Sequence, residues 1–226
     1  MTELTLGAVL AIIGAGLAVG LSAIGSGIGV GIAGAAAAGS SVARKEKFST
    51  FLIFQAVPQT QAIYGLLVGV LILLSTGLLG GGLKEVPLPM GMAALGAGVA
   101  VGLAGLSAIG QGITAASGIA AASRDDTSVG RGLVFSVIPE TQAIYGLLTA
   151  ILILSFTGFL TEAGEVGEAM GWAAIGAGFA VGFAGLSAIG QGITAASGIT
   201  ASVRKPGSFG KSLVFSVIPE TQAIYG

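Results

Sequence analysis

The chain has 226 residues, of which 54% are apolar and only 8% are charged, and its net charge at pH 7 is −1. Such an apolar composition excludes an ordinary soluble protein, and the near-neutral charge gives no indication of a nucleic-acid partner. The sequence contains neither cysteine nor histidine, which excludes disulfides, thiolate metal sites and imidazole acid–base chemistry. We therefore expect an integral membrane protein.

Five long segments with few or no charges are each able to cross a bilayer. They span residues 4–43, 48–83, 86–123, 132–161 and 169–203. Each exceeds the roughly 20 residues that an α-helix needs to cross about 30 Å of hydrocarbon. A sixth segment begins near Ser208, and we expect its helix to be incomplete at Gly226.

The segments form three tandem pairs, which predicts an all-α membrane protein of three transmembrane helical hairpins with six helices. We assign residues 1–82 to hairpin 1, 83–163 to hairpin 2 and 164–226 to hairpin 3. Hairpins 2 and 3 align without a gap, whereas hairpin 1 is more distant and keeps the sequence LSAIG at 21–25. The first helix of each pair is rich in glycine, which lets helices approach closely in lipid.

Basic residues cluster at the turns inside the hairpins, which we call the hairpin tips. They are Arg44, Lys45, Lys47, Arg124, Arg131, Arg204, Lys205 and Lys211. By the positive-inside rule the tips face the cytoplasm, and the N-terminus and the linkers between hairpins face outward. Three acids of the second linker, Glu162, Glu165 and Glu168, are predicted to form a solvated loop without a function.

One eight-residue motif occurs in the second helix of every hairpin, as PQTQAIYG at 58–65 and as PETQAIYG at 139–146 and 219–226. Its two later copies place Glu140 and Glu220 deep inside apolar segments. A carboxylate at that depth is costly and therefore rare, and it usually marks an ion or proton pathway. These two glutamates are the first candidates for functional residues.

Hairpin symmetry identifies the residue that faces each glutamate. If both helices leave the tip symmetrically, Gln111 lies level with Glu140, and Gln191 has the same place in hairpin 3. Hairpin 1 carries Gln59 at the glutamate position and Ser26 at the glutamine position. Because both positions change together, the pattern favours a ligand role for the glutamines over a packing role.

The proline of each motif supplies a further oxygen. Pro58, Pro139 and Pro219 are predicted to kink their helices and to free backbone carbonyls, because proline lacks an N–H and clashes with the preceding turn. With neighbouring hydroxyl and amide groups, these carbonyls form an oxygen-only shell suited to a hard cation. A proton needs only a carboxyl group in an apolar pocket, so the surplus of oxygens favours Na⁺ and leaves H⁺ as the alternative.

Gly-rich helices such as GAGVAVGLAGLSAIGQGIT at 96–114, paired with helices that carry PETQAIYG, make the chain resemble a known family. It resembles the proteolipid (c/K) subunit of the rotary V-type and archaeal A-type ATPases, in a three-hairpin form. The resemblance implies a ring of identical subunits in the cell membrane that turns against a stator membrane subunit, with central-stalk subunits at the cytoplasmic tips. It implies no catalytic site in this chain and no cofactor besides the transported ion.

The resemblance also implies which residues bind the ion. Sodium-type members of the family use a Gln of the inner helix, the Glu, a nearby Thr or Gln and a backbone carbonyl. The matching positions are Gln111, Glu140, Thr141, Gln142 and Ile138 in hairpin 2, and Gln191, Glu220, Thr221, Gln222 and Ile218 in hairpin 3, with Thr60 and Gln61 available across an interface. Gln59 departs from the family pattern, so hairpin 1 is expected to bind no ion.

A self-contained ion transporter or pore is the alternative function. Transporters usually contain inverted repeats and broken helices around a site at the membrane midplane. The three repeats of this chain all enter the membrane from the same side, as a ring requires. The ring subunit is therefore the preferred hypothesis.

Overall fold

The computed structural model describes residues 4–160 and 166–226, and every regular element within these ranges is a helix. Five helical stretches of the described chain are long and apolar enough to cross a membrane. They are Leu6–Ala43, Lys45–Ser75, Leu88–Ala122, Asp126–Phe156 and Glu168–Arg204. A sixth helical stretch runs from residue 206 to residue 225. The prediction of an all-α protein built from membrane-spanning hairpins is confirmed.

The inner helix of each hairpin comes first in the chain and the outer helix second. The inner helices are α1 (Leu6–Ala43), α4 (Leu88–Ala104) with α5 (Ala108–Ala122), and α8 (Glu168–Ala184) with α9 (Ser187–Arg204). The outer helices are α2 (Phe48–Ala56) with α3 (Thr60–Ser75), α6 (Val129–Val137) with α7 (Thr141–Phe156), and α10 (Phe209–Val217) with α11 (Thr221–Tyr225). The predicted boundary at 163–164 and the acids Glu162 and Glu165 lie outside the described residues, while Glu168 begins α8.

Each outer helix breaks at the proline of its motif. Single turns of 3₁₀ helix interrupt the α-helix at Val57–Gln59, Ile138–Glu140 and Ile218–Glu220. Proline causes the break because it removes one backbone hydrogen bond and crowds the turn before it. Glu140 and Glu220 each end such a turn, so each carboxylate lies at the point where the regular α-helix is interrupted.

The inner helices of hairpins 1 and 2 differ by a three-residue insertion. The sequence GAGLAVGLSAIG at 14–25 corresponds to GAGVAVGLAGLSAIG at 96–110. Residues Gly105–Ser107 form a 3₁₀ turn between α4 and α5, whereas α1 is one continuous helix. Because a 3₁₀ helix has three residues per turn, the insertion adds one full turn and leaves the faces of the helix in register. Gln111 therefore faces the same side of the hairpin as Ser26.

The inner helices pack side by side in chain order, with hairpin 2 in the middle. Helix α4 contacts both α1 and α8, and α5 contacts both α1 and α9. Glycine makes the approach close, since a methyl group on Gly98 would collide with the backbone carbonyl of Gly14, and one on Gly192 with that of Gly110. This is the packing that small residues allow between membrane helices.

Each of the first two outer helices lies in the groove between its own inner helix and that of the next hairpin. Phe54 of α2 is fully buried against Gly118 of α5, and Phe135 of α6 is buried against Gly198 of α9. Neighbouring hairpins therefore share one repeated interface, with an aromatic ring of one seated on a glycine of the next.

Basic side chains at the tips also join neighbouring hairpins. Lys47 donates a hydrogen bond to the carbonyl of Ala122 and forms an ion pair with Asp126. One hairpin further on, a guanidinium nitrogen of Arg131 donates to the carbonyl of Ser202 at 3.0 Å. A cation at these positions binds carbonyls that the end of an α-helix leaves unpaired. The tips therefore fasten each of these hairpins to the inner helix of the next.

Candidate functional site

Glu140 lies where hairpins 1 and 2 meet. Its Oε1 accepts a hydrogen bond from the Tyr64 hydroxyl at 2.5 Å, and its Oε2 accepts one from Gln111 Nε2 at 3.3 Å. Tyr64 belongs to the outer helix of hairpin 1, and Gln111 belongs to the inner helix of hairpin 2. The carboxylate therefore joins three segments from two hairpins, and Gln111 lies opposite Glu140 as hairpin symmetry predicts.

A second layer of polar groups extends the network into hairpin 1. Gln61 Nε2 donates to Gln111 Oε1 at 2.6 Å, and the Thr60 hydroxyl lies 3.1 Å from Gln61 Oε1 and 3.5 Å from the carbonyl oxygen of Val57. Both glutamines are completely buried. Buried amides are costly unless they are paired, so their mutual hydrogen bond is needed to hold them here.

The same arrangement is repeated around Glu220, where hairpins 2 and 3 meet. The Tyr145 hydroxyl donates to Glu220 Oε1 at 2.7 Å, and Gln191 Nε2 donates to Oε2 at 3.3 Å. Gln142 Nε2 donates to Gln191 Oε1 at 2.8 Å. Two independent sets of residues thus adopt one geometry, and we call them the Glu140 group and the Glu220 group.

The structure corrects the predicted grouping of three residues. Thr141, Gln142 and Ile138 were assigned to Glu140, but they belong to the Glu220 group. The Thr141 hydroxyl lies 3.0 Å from Gln142 Oε1 and 3.1 Å from the carbonyl oxygen of Ile138. Residues two apart on a helix are separated by about 200°, so Gln142 and Glu140 point to opposite sides of their outer helix. The corresponding residues of hairpin 1, Val57, Thr60 and Gln61, belong to the Glu140 group.

The outer helix of hairpin 3 carries the same polar residues, but no glutamate of a following hairpin lies next to them in the described chain. The Thr221 hydroxyl donates to the carbonyl of Ile218 at 2.8 Å, and Gln222 Nε2 lies 3.4 Å from Thr221 Oγ1. Gln222 is exposed, and Tyr225 is 80% exposed. Neither of these hydrogen bonds reaches Glu220, so the structure does not bring Thr221, Gln222 and Ile218 together with that glutamate as predicted.

Hairpin 1 carries the complementary half at the other edge of the chain. Gln59, at the glutamate position, is exposed. Ser26, at the glutamine position, accepts a hydrogen bond from the backbone N–H of Ala62 at 3.0 Å. The described chain thus contains two complete groups and, at its two edges, two different halves of a third.

Tyr64 and Tyr145 were not among the residues predicted from the sequence. A signal was available, because every copy of the motif ends in tyrosine and glycine. Each of these tyrosines serves the glutamate of the following hairpin, and this pairing depends on how the hairpins pack. The spacing within one motif does not reveal it.

Known relatives match most of the chain. It matches the family of the ATP synthase C subunit over residues 13–72, 88–153 and 175–226. It is 54% identical to the A-type ATP synthase subunit K of Methanocaldococcus jannaschii, over 96% of this chain and 92% of that protein. It is 34% identical to the V-type sodium ATPase subunit K of Enterococcus hirae, over 66% of this chain and 92% of that protein. The 16 kDa proteolipid of the human V-type proton ATPase is 31% identical, over 63% of this chain and 89% of that protein.

Proposed function

The chain belongs to the family of the ATP synthase C subunit, as a proteolipid subunit of a rotary A/V-type ATPase, and on that premise we propose that Glu140 and Glu220 each bind one Na⁺ reversibly during rotation. The observation that carries this proposal is the repeated geometry of the two groups. In each group the carboxylate accepts hydrogen bonds from a tyrosine hydroxyl and from a buried glutamine amide. That amide pairs with a second buried glutamine, which contacts a threonine hydroxyl. Two intramembrane carboxylates with the same surroundings indicate one task performed twice.

The oxygens of the Glu140 group suit a hard cation. Gln111 Nε2 donates to Glu140 Oε2, Gln61 Nε2 donates to Gln111 Oε1, and the Thr60 hydroxyl lies within 3.5 Å of Gln61 Oε1 and of the carbonyl oxygen of Val57. One network of hydrogen bonds therefore holds five oxygen-bearing groups together. Turning the Gln61 amide about its last bond exchanges Nε2 for Oε1, so that both amide oxygens can face one ion. An all-oxygen set with a single negative charge matches a monovalent hard cation. Tyr64 stays outside the set and holds the carboxylate in place from its other oxygen.

A proton is the alternative ion. The named relatives include one sodium ATPase subunit and one proton ATPase subunit, so membership of the family leaves the ion open. A protonated carboxyl group needs only one acceptor for its proton, so proton binding makes no use of the amide and hydroxyl oxygens as ligands. The number of oxygens around each glutamate supports Na⁺.

The two unmatched edges support assembly into a ring of copies. Phe54 and Phe135, each four residues before the motif proline, are completely buried against the next hairpin, whereas the equivalent Phe215 of hairpin 3 is 64% exposed. Tyr225 is exposed in the same way. A second copy that packs its hairpin 1 on this face would bury both aromatic rings and continue the repeated interface. A self-contained transporter or pore gives no reason for unmatched halves at both edges.

The boundary between two copies would then hold a site without a carboxylate. Gln59 and Ser26 of one copy would meet Thr221, Gln222 and Tyr225 of its neighbour. An oxygen set that lacks a negative charge repays little of the cost of dehydrating a cation inside a membrane. We therefore propose two bound ions per chain, with hairpin 1 binding none.

The proposal also places the subunit within its complex. The basic hairpin tips would face the cytoplasm and the central-stalk subunits, and the N-terminus would lie outside the cell membrane. The half-buried glutamates would meet a stator membrane subunit at the outer surface of the ring. ATP hydrolysis or synthesis would take place in other subunits, since this chain would contribute ion binding only.

Sodium-dependent protection of the two carboxylates tests the proposal. The purified ring is treated with a carbodiimide that reacts with carboxyl groups, and modification of Glu140 and Glu220 is measured with increasing Na⁺ at constant ionic strength, with K⁺ as the replacement. Na⁺ should slow modification of both residues. A reaction rate that depends on pH but not on Na⁺ would contradict sodium binding and support the proton.

A further inference from the structure

At each boundary between hairpins inside the chain, a cation of the outer helix binds the same carbonyl of the next inner helix. Lys47 donates to the carbonyl of Ala122, and Arg131 donates to the carbonyl of Ser202 at 3.0 Å. Both acceptors lie two residues before the first arginine of their hairpin tip. We call this contact between a cation and the equivalent carbonyl the tip latch.

The acceptors of the tip latch are carbonyls that need a donor. Ala122 is the last residue of α5, and Ser202 lies in the last turn of α9. The last four carbonyls of an α-helix find no N–H group within the helix, and Pro206, four residues after Ser202, has no N–H group to offer. A cation at this end also interacts favourably with the helix dipole.

The two donors of the tip latch occupy different positions of their outer helices. Lys47 lies 11 residues before its motif proline, whereas Arg131 lies eight residues before its own. Hairpin 1 has Thr50 at the position of the arginine, and hairpin 2 has Ser128 at the position of the lysine. Two long cationic side chains that start one helical turn apart therefore end on equivalent carbonyls. This convergence indicates that the contact itself matters at each boundary.

Hairpin 3 carries the donor of a further latch. Lys211 lies eight residues before Pro219, which is the position of Arg131, and position 208 is a serine. Lys211 is exposed, and within the described residues its ammonium group has no ion pair and no hydrogen bond. It is therefore a latch cation without an acceptor in its own chain.

Hairpin 1 carries the matching acceptor at the opposite edge of the chain. Val42 lies two residues before Arg44, the first arginine of its tip. It is the second-last residue of α1 and is 78% exposed. Its carbonyl thus has the place that Ala122 and Ser202 have in the other hairpins.

A serine pair of the inner helices indicates independently that this edge of hairpin 3 packs on another hairpin. Ser117 of hairpin 2 donates across the boundary to the carbonyl of Ala196 at 2.9 Å. Its counterpart Ser197 in hairpin 3 is exposed and donates to the carbonyl of Ile193 in its own helix at 3.2 Å. The side chain that crosses the boundary in hairpin 2 therefore turns back in hairpin 3.

We propose that Lys211 of one copy donates to the carbonyl of Val42 in the next copy and closes a tip latch between them. The proposal rests on the ring of copies proposed above and names the contact that fastens it. The latch has more weight at this boundary, because Gln59 replaces the carboxylate that joins neighbouring hairpins elsewhere. An acidic segment of a stalk subunit would pair with Lys211 but would leave the carbonyl of Val42 without a donor.

Crosslinking of the purified ring tests the proximity of the two residues, because the chain contains no cysteine. A short bismaleimide should join chains of the double variant V42C/K211C into a ladder of covalent oligomers. The matched pair R131C/S202C spans a latch inside the chain and should yield crosslinked single chains only. Rings of V42C/K211C that give no ladder would overturn the proposal.

Ring dissociation in detergent tests the contribution of the latch. We expect K211M to dissociate at a lower temperature, with the dissociation constant between copies raised by about tenfold, because a hydrogen bond to a charged group is lost. K211R keeps a donor of the kind found at position 131 and should match the unaltered ring. K205M removes the same charge from an exposed tip residue and should also match it. If K211M forms no rings while K211R does, the latch is supported.

Three results would contradict the latch. They are equal dissociation temperatures for K211M and K205M, a K211R ring as unstable as K211M, and loss of stalk subunits from the intact K211M complex without a change in the ring. Each glutamate group lies within one chain, so sodium protection of Glu140 and Glu220 should persist in every variant. That measurement separates a failure of the latch from a failure of the proposed ion binding.

Discussion

The substitution Gln142→Leu tests whether the ligands of each glutamate come from its own motif or from the motif of the preceding hairpin. Gln142 lies two residues after Glu140, yet its amide donates to Gln191 Oε1 at 2.8 Å in the Glu220 group. We therefore expect the substitution to weaken sodium protection of Glu220 and to leave protection of Glu140 unchanged. If ligands came from the same motif as the glutamate, Glu140 would be the residue affected.

The size of the effect follows from the burial of the amide. Gln142 and Gln191 are both completely buried, so leucine removes one ligand oxygen and leaves the Gln191 amide without its partner. A lost neutral hydrogen bond with a buried group left unpaired costs about 1–3 kcal/mol. The Na⁺ concentration that half-protects Glu220 should rise by about tenfold or more, since roughly 1.4 kcal/mol corresponds to a factor of ten.

Site-resolved modification of the purified ring measures this effect. Mass spectrometry can distinguish the two carboxylates because they follow different tip sequences, SVGR at 128–131 and SFGK at 208–211. Gln61→Leu is the reciprocal variant and should affect only Glu140. Gln222→Leu is the control, because Gln222 belongs to neither the Glu140 group nor the Glu220 group in the described chain. Weaker protection at Glu140 in the Gln142→Leu ring would refute the reasoning.

Three further predictions follow from the structure. The double variant Glu140→Gln, Glu220→Gln should lose all ion-coupled ATP turnover in the complex. It should still form rings, because the first motif already has glutamine at this position, Gln59. Coupled turnover in this variant would contradict the proposal. Bound sodium should be two ions per chain, and Gln59→Glu with Ser26→Gln should raise it to three; a value of three before substitution would show that the first motif binds an ion. Gly98→Val should lower the temperature at which the ring dissociates, because the added side chain would collide with a neighbouring backbone carbonyl.

A surface glycine provides the control for the last of these predictions. A Cβ atom added to Gly39 has no atom within 4 Å, so Gly39→Val tests the effect of valine in a glycine-rich helix without a collision. If both variants dissociate at the same temperature, helix propensity rather than close packing explains the effect.

The sequence alone determined that the chain is an integral membrane protein, that its helices form hairpins, and how far the site lies from the hairpin tips. Composition and segment length lead to spanning helices, because a bilayer tolerates few charges and requires a minimum helix length. The two carboxylates stand out because charge inside an apolar segment is costly. Gln111 could be placed opposite Glu140 because both helices of a hairpin rise by the same distance per residue from their shared tip.

Only the tertiary structure decided which residues share a site. Gln142 and Tyr145 follow Glu140 in the sequence but contact the group around Glu220. Their direction depends on the packing of glycine-lined inner helices, which sets each of these outer helices between two hairpins. A repeated motif fixes which polar groups are present and how far they lie from the tip. The motif does not fix which neighbouring helix supplies the remaining ligands of a group. Those ligands lie about 50 to 80 positions away in the sequence, and they are brought together only by the packing of one hairpin on the next.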